Sequence, residues 1–600
     1  MKKTALIVSF AALATAGWWS YNLVWGKPLS FDHFLERCLV KFALLEPELL
    51  SMVSVVDNTV LDFHSGKLTG ASPDHSYRLL DTFKGFYSVF QQYDKEKLEG
   101  QQLVSYEMMD WFLKMELDRE RWLFHDFPVN QSFGVQGELP AFMDTYHLIV
   151  NEKSARRYIS RLEGFEKKLR EVSESLIYRA DKGIVPPKFV FEHVLKEVSD
   201  FIVMAPEENS LYSSFSERVD GIEGMNQESR EELLENAAAA IANYVYPGYL
   251  LLVETLEGLK PLAKEESGAW TLPDGDEYYR YLVKYHTSLD VEPDEVHNIG
   301  LNEVERIRKD MFLIFETLEI TEGTVAERFA ELDKREGIFY PDNPQSYDKI
   351  IEDYTAMIDK LSAKTAHLFN HKPQAAVKVR RVPEYIEATA PFGYYGIPAM
   401  DGSRPGIFFI NLRDLSLIPK YGMMTLAAHE AVPGHHFQLA LQQEMSGVPT
   451  IRKVLPFMAF AEGWALYTEQ LVAEAGVYND DPLGDLGRLQ SEMLRAVRLV
   501  VDTGIHYKRW DLDKAVHYMY ENTGSPYKDV VSEIERYVVA PAQAISYKMG
   551  MLHILELRQR AEESLGDLFD IRDFHDVLLM NGSLPLEVLS KVIDDYIASN

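Results

Sequence analysis

Four stretches of this sequence, Ser154–Tyr178, Arg230–Leu259, Pro293–Leu318 and Ser346–Ala366, carry apolar residues at three-to-four spacing with charged residues between them. A helix closes a turn every ~3.6 residues, so that spacing gathers the apolar side chains into one stripe. Each stripe must be buried against a neighbour, and several of them restrict the chain to helix-on-helix packing. Asn226 suits a helix N-cap and Pro293-Asp294-Glu295 a first helical turn, while Pro186-Pro187 and Pro206 punctuate the series. The main β-like segment is Gly406–Asn411, after the turn-rich run Asp401-Gly402-Ser403-Arg404-Pro405. The 600 residues are 46% hydrophobic, enough for an extensive core, and hold no obvious linker, low-complexity run or repeat. The expectation is a mainly α fold, one large helical domain over residues 30–600 with two lobes, 30–380 and 381–600. A small β-sheet edge would lie next to the helix that follows it.

Residues 429–436 read His-Glu-Ala-Val-Pro-Gly-His-His. In the motif H-E-x-x-H, histidines at i and i+4 share a helical face and bind one zinc, with the glutamate beside the open position. Here Pro433 stands at i+4, and the next histidines, His435 and His436, come six and seven residues after His429. On a straight helix His435 would point about 120° away, and His436 would lie about 10.5 Å along the axis. Two nitrogens on one tetrahedral zinc are only about 3.4 Å apart. Shared ligation therefore needs a distortion, and Pro433-Gly434 supplies one. Proline removes a backbone hydrogen bond and clashes with the preceding turn, while glycine accepts unusual dihedrals. A two-residue bulge there would carry His435 to the i+4 place. His429 and His435 are then the expected ligands, with His436 next in line.

Downstream, Ala461–Glu469 is apolar and helical in character and holds two acids seven residues apart. Glu462 and Glu469 share a face two turns apart, crowded by Trp464, Leu466, Tyr467 and Leu471. Buried acids need a partner such as a metal or its ligands. Glu462 is the expected third ligand of one zinc ion, and Glu469 the group that orients a ligand histidine. Glu430 is placed to act as general base. The oxyanion donor would be Tyr547 or His506. Arg536 or Lys548 could bind a substrate carboxylate, and Phe409 and Asn411 belong to a strand that could pair with an extended substrate.

These motifs resemble the bacterial family known as domain of unknown function 885. The likeness rests on His429-Glu430, Pro433-Gly434-His435 and Glu462-Gly463-Trp464-Ala465. It extends to Thr287-Ser288 with His297 and Gly300-Leu301, to Asp401–Gly406 leading to Asn411, to Val501–His506, and to Pro541–Ala544 through Ser546–Gly550. It thus spans the chain from about residue 30 to the end. The ligand pattern is also similar to that of all-helical gluzincin peptidases, such as the angiotensin-converting-enzyme-like and thermostable carboxypeptidase families. Those place a ligand glutamate on a second helix after the second histidine, as Glu462 follows His435. The resemblance implies a two-lobed, zincin-like helical fold and a zinc metallopeptidase, of carboxypeptidase or oligopeptidase type, that cleaves short peptides. The Pro-Gly insertion separates this chain from those families. A zinc hydrolase of another amide or ester, and a non-catalytic envelope protein on a peptidase scaffold, remain open alternatives.

A net charge of −32 excludes nucleic acid as a partner, which needs a basic footprint. A single cysteine, Cys38, excludes an internal disulfide and a cysteine-rich metal site. Lys2-Lys3 precede an apolar run from Thr4 to about Ala16, and Ala14-Thr15-Ala16 has the form of a cleavage site. Read on through Trp18, Trp19 and Trp25, the apolar stretch is long enough to span a bilayer. Residues 1–25 are therefore a signal peptide or an N-terminal membrane anchor. Either sends the body of the protein across the membrane, to the periplasm, and limits membrane contact to that segment.

Overall fold

The computed structural model describes residues 21–53, 57–60, 62–383, 387, 391–400, 402 and 404–600. The expected signal or anchor segment lies almost wholly outside them, as do Asp401 and Ser403. No helix among the described residues is long and apolar enough to cross a membrane. The protein is mainly α, and the strands among the described residues form one small sheet.

The chain divides into two compact units. One runs up to Ala263 and takes in Ser446–Val454; the other comprises Lys264–Met445 and Leu455–Asn600. The spine of the first unit is helix α1 (Glu152–Asp181), opened by a capping box between Asn151 and Ser154. Its buried stripe of Tyr158, Leu162, Phe165, Leu169, Val172 and Leu176 keeps the three-to-four spacing. Helix α2 (Gln227–Ala240) begins at Asn226, whose side chain accepts from the Ser229 N–H. One π turn at Ile241–Val245 joins it to α3 (Tyr246–Leu259), which packs along α1. The turn sits just before Pro247, which has no N–H to continue an α ladder.

In the second unit, α4 (Pro293–Thr317) opens with Pro293 at its first position, and α5 (Pro344–Thr365) is capped by Asn343. Next come β1 (Val377–Arg381), β2 (Gly393–Gly396) and β3 (Gly406–Ile410). The sheet order is β1-β3-β2, with β1 parallel and β2 antiparallel to β3. The strand expected at the edge is thus the central one, and β2 is the antiparallel edge. That edge lies against α6 (Lys420–Glu430), with Gly393 close to Leu426. The expected lobe boundary at residue 380 would cut β1 out of this sheet, and the unit boundary falls instead at Ala263.

The further elements that position the site are α7 (His435–Glu444), α8 (Met458–Glu474), α9 (Pro482–His506), α10 (Tyr527–Val539) and α11 (Ser546–Leu565). Helix α9 is buried along most of its length and packs against α4 and α6. Helices α8 and α11 meet at two glycines. A Cβ on Gly463 would lie 2.5 Å from the Gly550 carbonyl carbon, and one on Gly550 would lie 1.9 Å from the Ala459 oxygen. Only glycine lets these two backbones approach so closely.

Candidate metal centre

Three of the five residues that matter most come from the helix pair α6–α7. Helix α6 ends at Glu430 and α7 starts at His435, so Ala431–Gly434 is a break between two helices. This corrects the expected bulge in one continuous helix. Pro433 cannot donate to a helical ladder, and its own carbonyl is taken by the Trp464 indole N–H at 2.9 Å. The bond ties the break to α8, which carries Glu462. Gly434 is pressed onto the end of α6: a Cβ there would lie 2.0 Å from the His429 oxygen and 2.4 Å from the Ala428 oxygen. That contact folds His435 back toward His429, and the two rings lie 4.8 Å apart, nearly perpendicular.

The His429 Nε2 and the His435 Nε2 both face Glu462 Oε2, at 3.5 and 3.3 Å. These spacings match the ~3.4 Å edge of a tetrahedral zinc shell. One ligand atom from each of the three residues lies within 4.8 Å of the other two, and the group can hold a metal ion. Glu462 Oε2 is buried and has no hydrogen-bond partner among the described residues, as expected of a carboxylate aimed at a cation. The opposite nitrogen of His429, Nδ1, donates to Glu469 Oε1 at 2.8 Å. That bond fixes the ring and leaves Nε2 free to ligate. Burial works against a charge on His429, but Glu462, Glu469 and Glu430 outweigh it and hold its pKa up at about 9. Burial likewise opposes ionisation of Glu462, and the two histidines overcome it, so its carboxyl is held well below the usual range. Glu430 is buried at the end of α6 and contributes to the field on His429.

His436 points elsewhere. Its Nδ1 shares a hydrogen bond with the Tyr395 hydroxyl of β2 at 2.9 Å, and burial pulls its pKa down to about 4. It fastens the sheet edge to α7. Tyr547, on α11 one turn before Gly550, is brought beside Glu462 by the glycine contact. Burial and the Glu462 charge both raise its pKa.

Of the five other expected site residues, four have different work. His506 is fully buried; its Nδ1 accepts from the Ala269 N–H at 2.9 Å and its Nε2 donates to the Tyr537 carbonyl at 3.0 Å. Both ring nitrogens are used by backbone, which removes it as an oxyanion donor. Lys548 is also fully buried, with its Nζ 2.7 Å from Glu492 and 3.0 Å from Glu303. It holds α11 to α9 and α4 rather than a substrate. Asn411 donates to the Glu387 carbonyl at 2.7 Å and accepts from the Arg413 N–H at 3.1 Å, so it braces a loop. Phe409 lies on the central strand, stacked on Tyr394 at 4.9 Å, and offers no free backbone edge. Arg536 grips Glu533 on its own helix and also reaches Gln543, beside Tyr547. No local pattern marks Arg498, whose guanidinium carbon lies 4.7 Å from the Tyr547 ring centroid. It is one polar residue among many on a long amphipathic helix.

The family model described as "Bacterial protein of unknown function (DUF885)" matches residues 56–593. The chain belongs to that family. A solved structure described as a "putative lipoprotein" from Colwellia psychrerythraea is similar at 34% identity, covers 95% of this chain and 99% of its own, and superposes with a TM-score of 0.92. A "putative lipoprotein of unknown function" from Shewanella oneidensis shares 17% identity over 94% of this chain and 99% of its own, with a TM-score of 0.71, and so shares the fold. No curated protein matches the chain.

Proposed function

We propose that this protein is a zinc-dependent hydrolase, and more specifically a metallopeptidase that cleaves short peptides outside the cytoplasm. The observation that carries the reading is the convergence of His429, His435 and Glu462, with Glu469 holding the first ring in place. Two imidazoles and one carboxylate form the donor set of a catalytic zinc site with an open position. Zinc bound there would supply a Lewis acid that polarises a scissile carbonyl and acidifies the attacking water.

The chain's own residues account for the rest. Glu430 accepts a proton from the water as its oxygen bonds to the carbonyl carbon. It then delivers that proton to the leaving nitrogen as the C–N bond breaks. Tyr547 donates its phenolic O–H to the oxyanion. The outer side of β2 pairs with no other strand among the described residues, and it offers an extended substrate a backbone partner. The same parts would serve an amide or ester in a small molecule or cell-wall fragment, and a substrate panel separates the two.

Export is supported by Lys2-Lys3 with the apolar run behind them, and by solved relatives described as lipoproteins. Cys38 is buried in a helix and offers no lipidation site.

The test combines metal analysis with peptide hydrolysis. One zinc per chain is expected. Glu430→Gln should retain the metal while hydrolysis falls by about 10²–10⁴-fold. A folded protein that takes up no zinc, or an E430Q variant that hydrolyses at the wild-type rate, would overturn the reading.

A further inference from the structure

Helices α9, α10 and α11 assemble a second charged group beside the metal centre. Arg498 of α9 is only 8% exposed. Its Nε donates to the Tyr537 hydroxyl oxygen at 2.8 Å and its Nη2 to Glu533 Oε2 at 3.2 Å. Glu533 also accepts from Arg536 Nε and Nη2, at 3.1 and 2.9 Å, and from the Tyr537 hydroxyl at 2.6 Å. Two guanidiniums therefore share one carboxylate. Of the other acids on α10, Asp529 lies in the field of Arg413 and Lys528. Arg498 Nη1 is buried and meets no acceptor among the described residues.

A buried guanidinium nitrogen without an acceptor, where two guanidiniums already share one carboxylate, is costly unless an anion completes it. The geometry places that anion near the reacting bond. The Tyr547 ring lies against the Arg498 guanidinium on one side, and its phenol feels the charge of Glu462 on the other. One aromatic side chain separates the two groups, a span that one or two extended residues bridge at ~3.5 Å each. We propose, resting on the peptidase reading above, that Arg498, backed by Arg536, is a carboxylate-binding subsite. The substrate is then a short peptide held by its C-terminal carboxylate, and the bond cleaved lies one or two residues from that end. Arg498 replaces Lys548 as the residue that recognises the chain end.

Calorimetric titration of the full-length, zinc-loaded protein tests this with three probes. They are the dipeptide Ala-Phe as the free acid, its C-terminal amide, and Ala-Glu amide, whose only carboxylate is on the side chain. The free acid should bind about 10- to 100-fold more tightly than the amide, the loss expected when a charged hydrogen-bonding group is left unpaired. Arg498→Gln should abolish that ratio and leave the affinity for the amide unchanged. Equal binding of acid and amide by the wild type would overturn the subsite. So would a folded R498Q that keeps the ratio. Ala-Glu amide binding as tightly as the free acid would overturn the chain-end assignment. If R498Q does not fold, the wild-type ratio decides together with Arg498→Lys, which keeps the charge but lacks the Nη1 donor and should lose the preference. Hydrolysis of an N-acylated tripeptide acid is followed in parallel. Selective binding of the acid without hydrolysis of any peptide would sink the peptidase reading and leave the carboxylate subsite standing.

Discussion

Replacing Gly434 by alanine tests whether the break between α6 and α7 is what makes two histidines into a pair. The added Cβ would start 2.0 Å from the His429 oxygen. Ordinary carbon–heavy-atom contact needs about 3.5 Å, so the start of α7 must move away from the end of α6 by more than about 1 Å. Zinc–ligand distances tolerate shifts of about 0.2 Å. A displacement several times that tolerance removes His435 from the shell that contains His429 and Glu462. Zinc affinity should fall by at least about 100-fold, the upper end of what loss of a mere supporting partner costs. Global stability should fall by only about 1–3 kcal/mol, as for other overpacked sites. Chelator-competition titration reads the first quantity and urea denaturation of the metal-free protein the second. Gly422→Ala is the matched control, because it lies in α6, the helix onto whose end Gly434 is pressed, and its Cβ would meet nothing within 4 Å. It should leave zinc affinity unchanged and stabilise the helix by up to about 1 kcal/mol. A folded G434A that binds zinc within threefold of wild type would show that the close packing of the break does not set the ligand geometry.

Other substitutions separate residues that the sequence could not tell apart. His435→Ala should abolish zinc binding while His436→Ala leaves the stoichiometry intact; metal analysis of the two purified variants checks this, and the reverse result would reassign the ligand. Lys548→Met leaves the Glu492 and Glu303 carboxylates without their ammonium, so it should cost about 3–5 kcal/mol in urea unfolding, with the preference for peptide acids unaltered wherever the variant folds. Asp502 accepts from the Tyr279 hydroxyl at 2.5 Å and from the Ala542 N–H, and burial raises its pKa from 3.8 to about 7. Because the folded pKa lies above the unfolded one, the native state holds the extra proton between pH 4 and 7. Its contribution to stability is therefore complete below about pH 4 and is lost as pH rises through 7, by at most about 4 kcal/mol. Asp502→Asn should flatten that part of the stability–pH curve, and an unchanged slope would contradict the assignment.

The sequence was most readable where a side chain's role depends on neighbours in its own element. The apolar stripes of α1, α4 and α5 announced these helices, and the seven-residue spacing of Glu462 and Glu469 placed both on one face of α8. The pair His429–His435 was legible because proline and glycine have backbone consequences that need no tertiary information. What was illegible depended on partners far along the chain. His506 is occupied by Ala269 and Tyr537, and Lys548 by Glu303 and Glu492, and no local pattern announces such pairings. The order of strands also escaped, because the apolar run of β3 is compatible with a central or an edge position until β1 and β2 are paired with it. The α6–α7 break was half legible: an irregularity was encoded, but two helices and one bent helix share the same residues.

The contact of Gly463 with Gly550 acts as a ruler. Glu462 precedes the first glycine by one residue, and Tyr547 precedes the second by three. The separation between the Glu462 carboxylate and the Tyr547 phenol is therefore set by two backbones in direct contact, with no side-chain layer between them. Arg498 reaches the same region from a third helix, α9, and takes no part in that glycine contact. If the protein is the peptidase proposed above, its bond-breaking groups and the group that holds the substrate's end rest on different supports. The first would be held by the glycine contact, and the second by the hydrogen bonds of Arg498 to Tyr537 and Glu533.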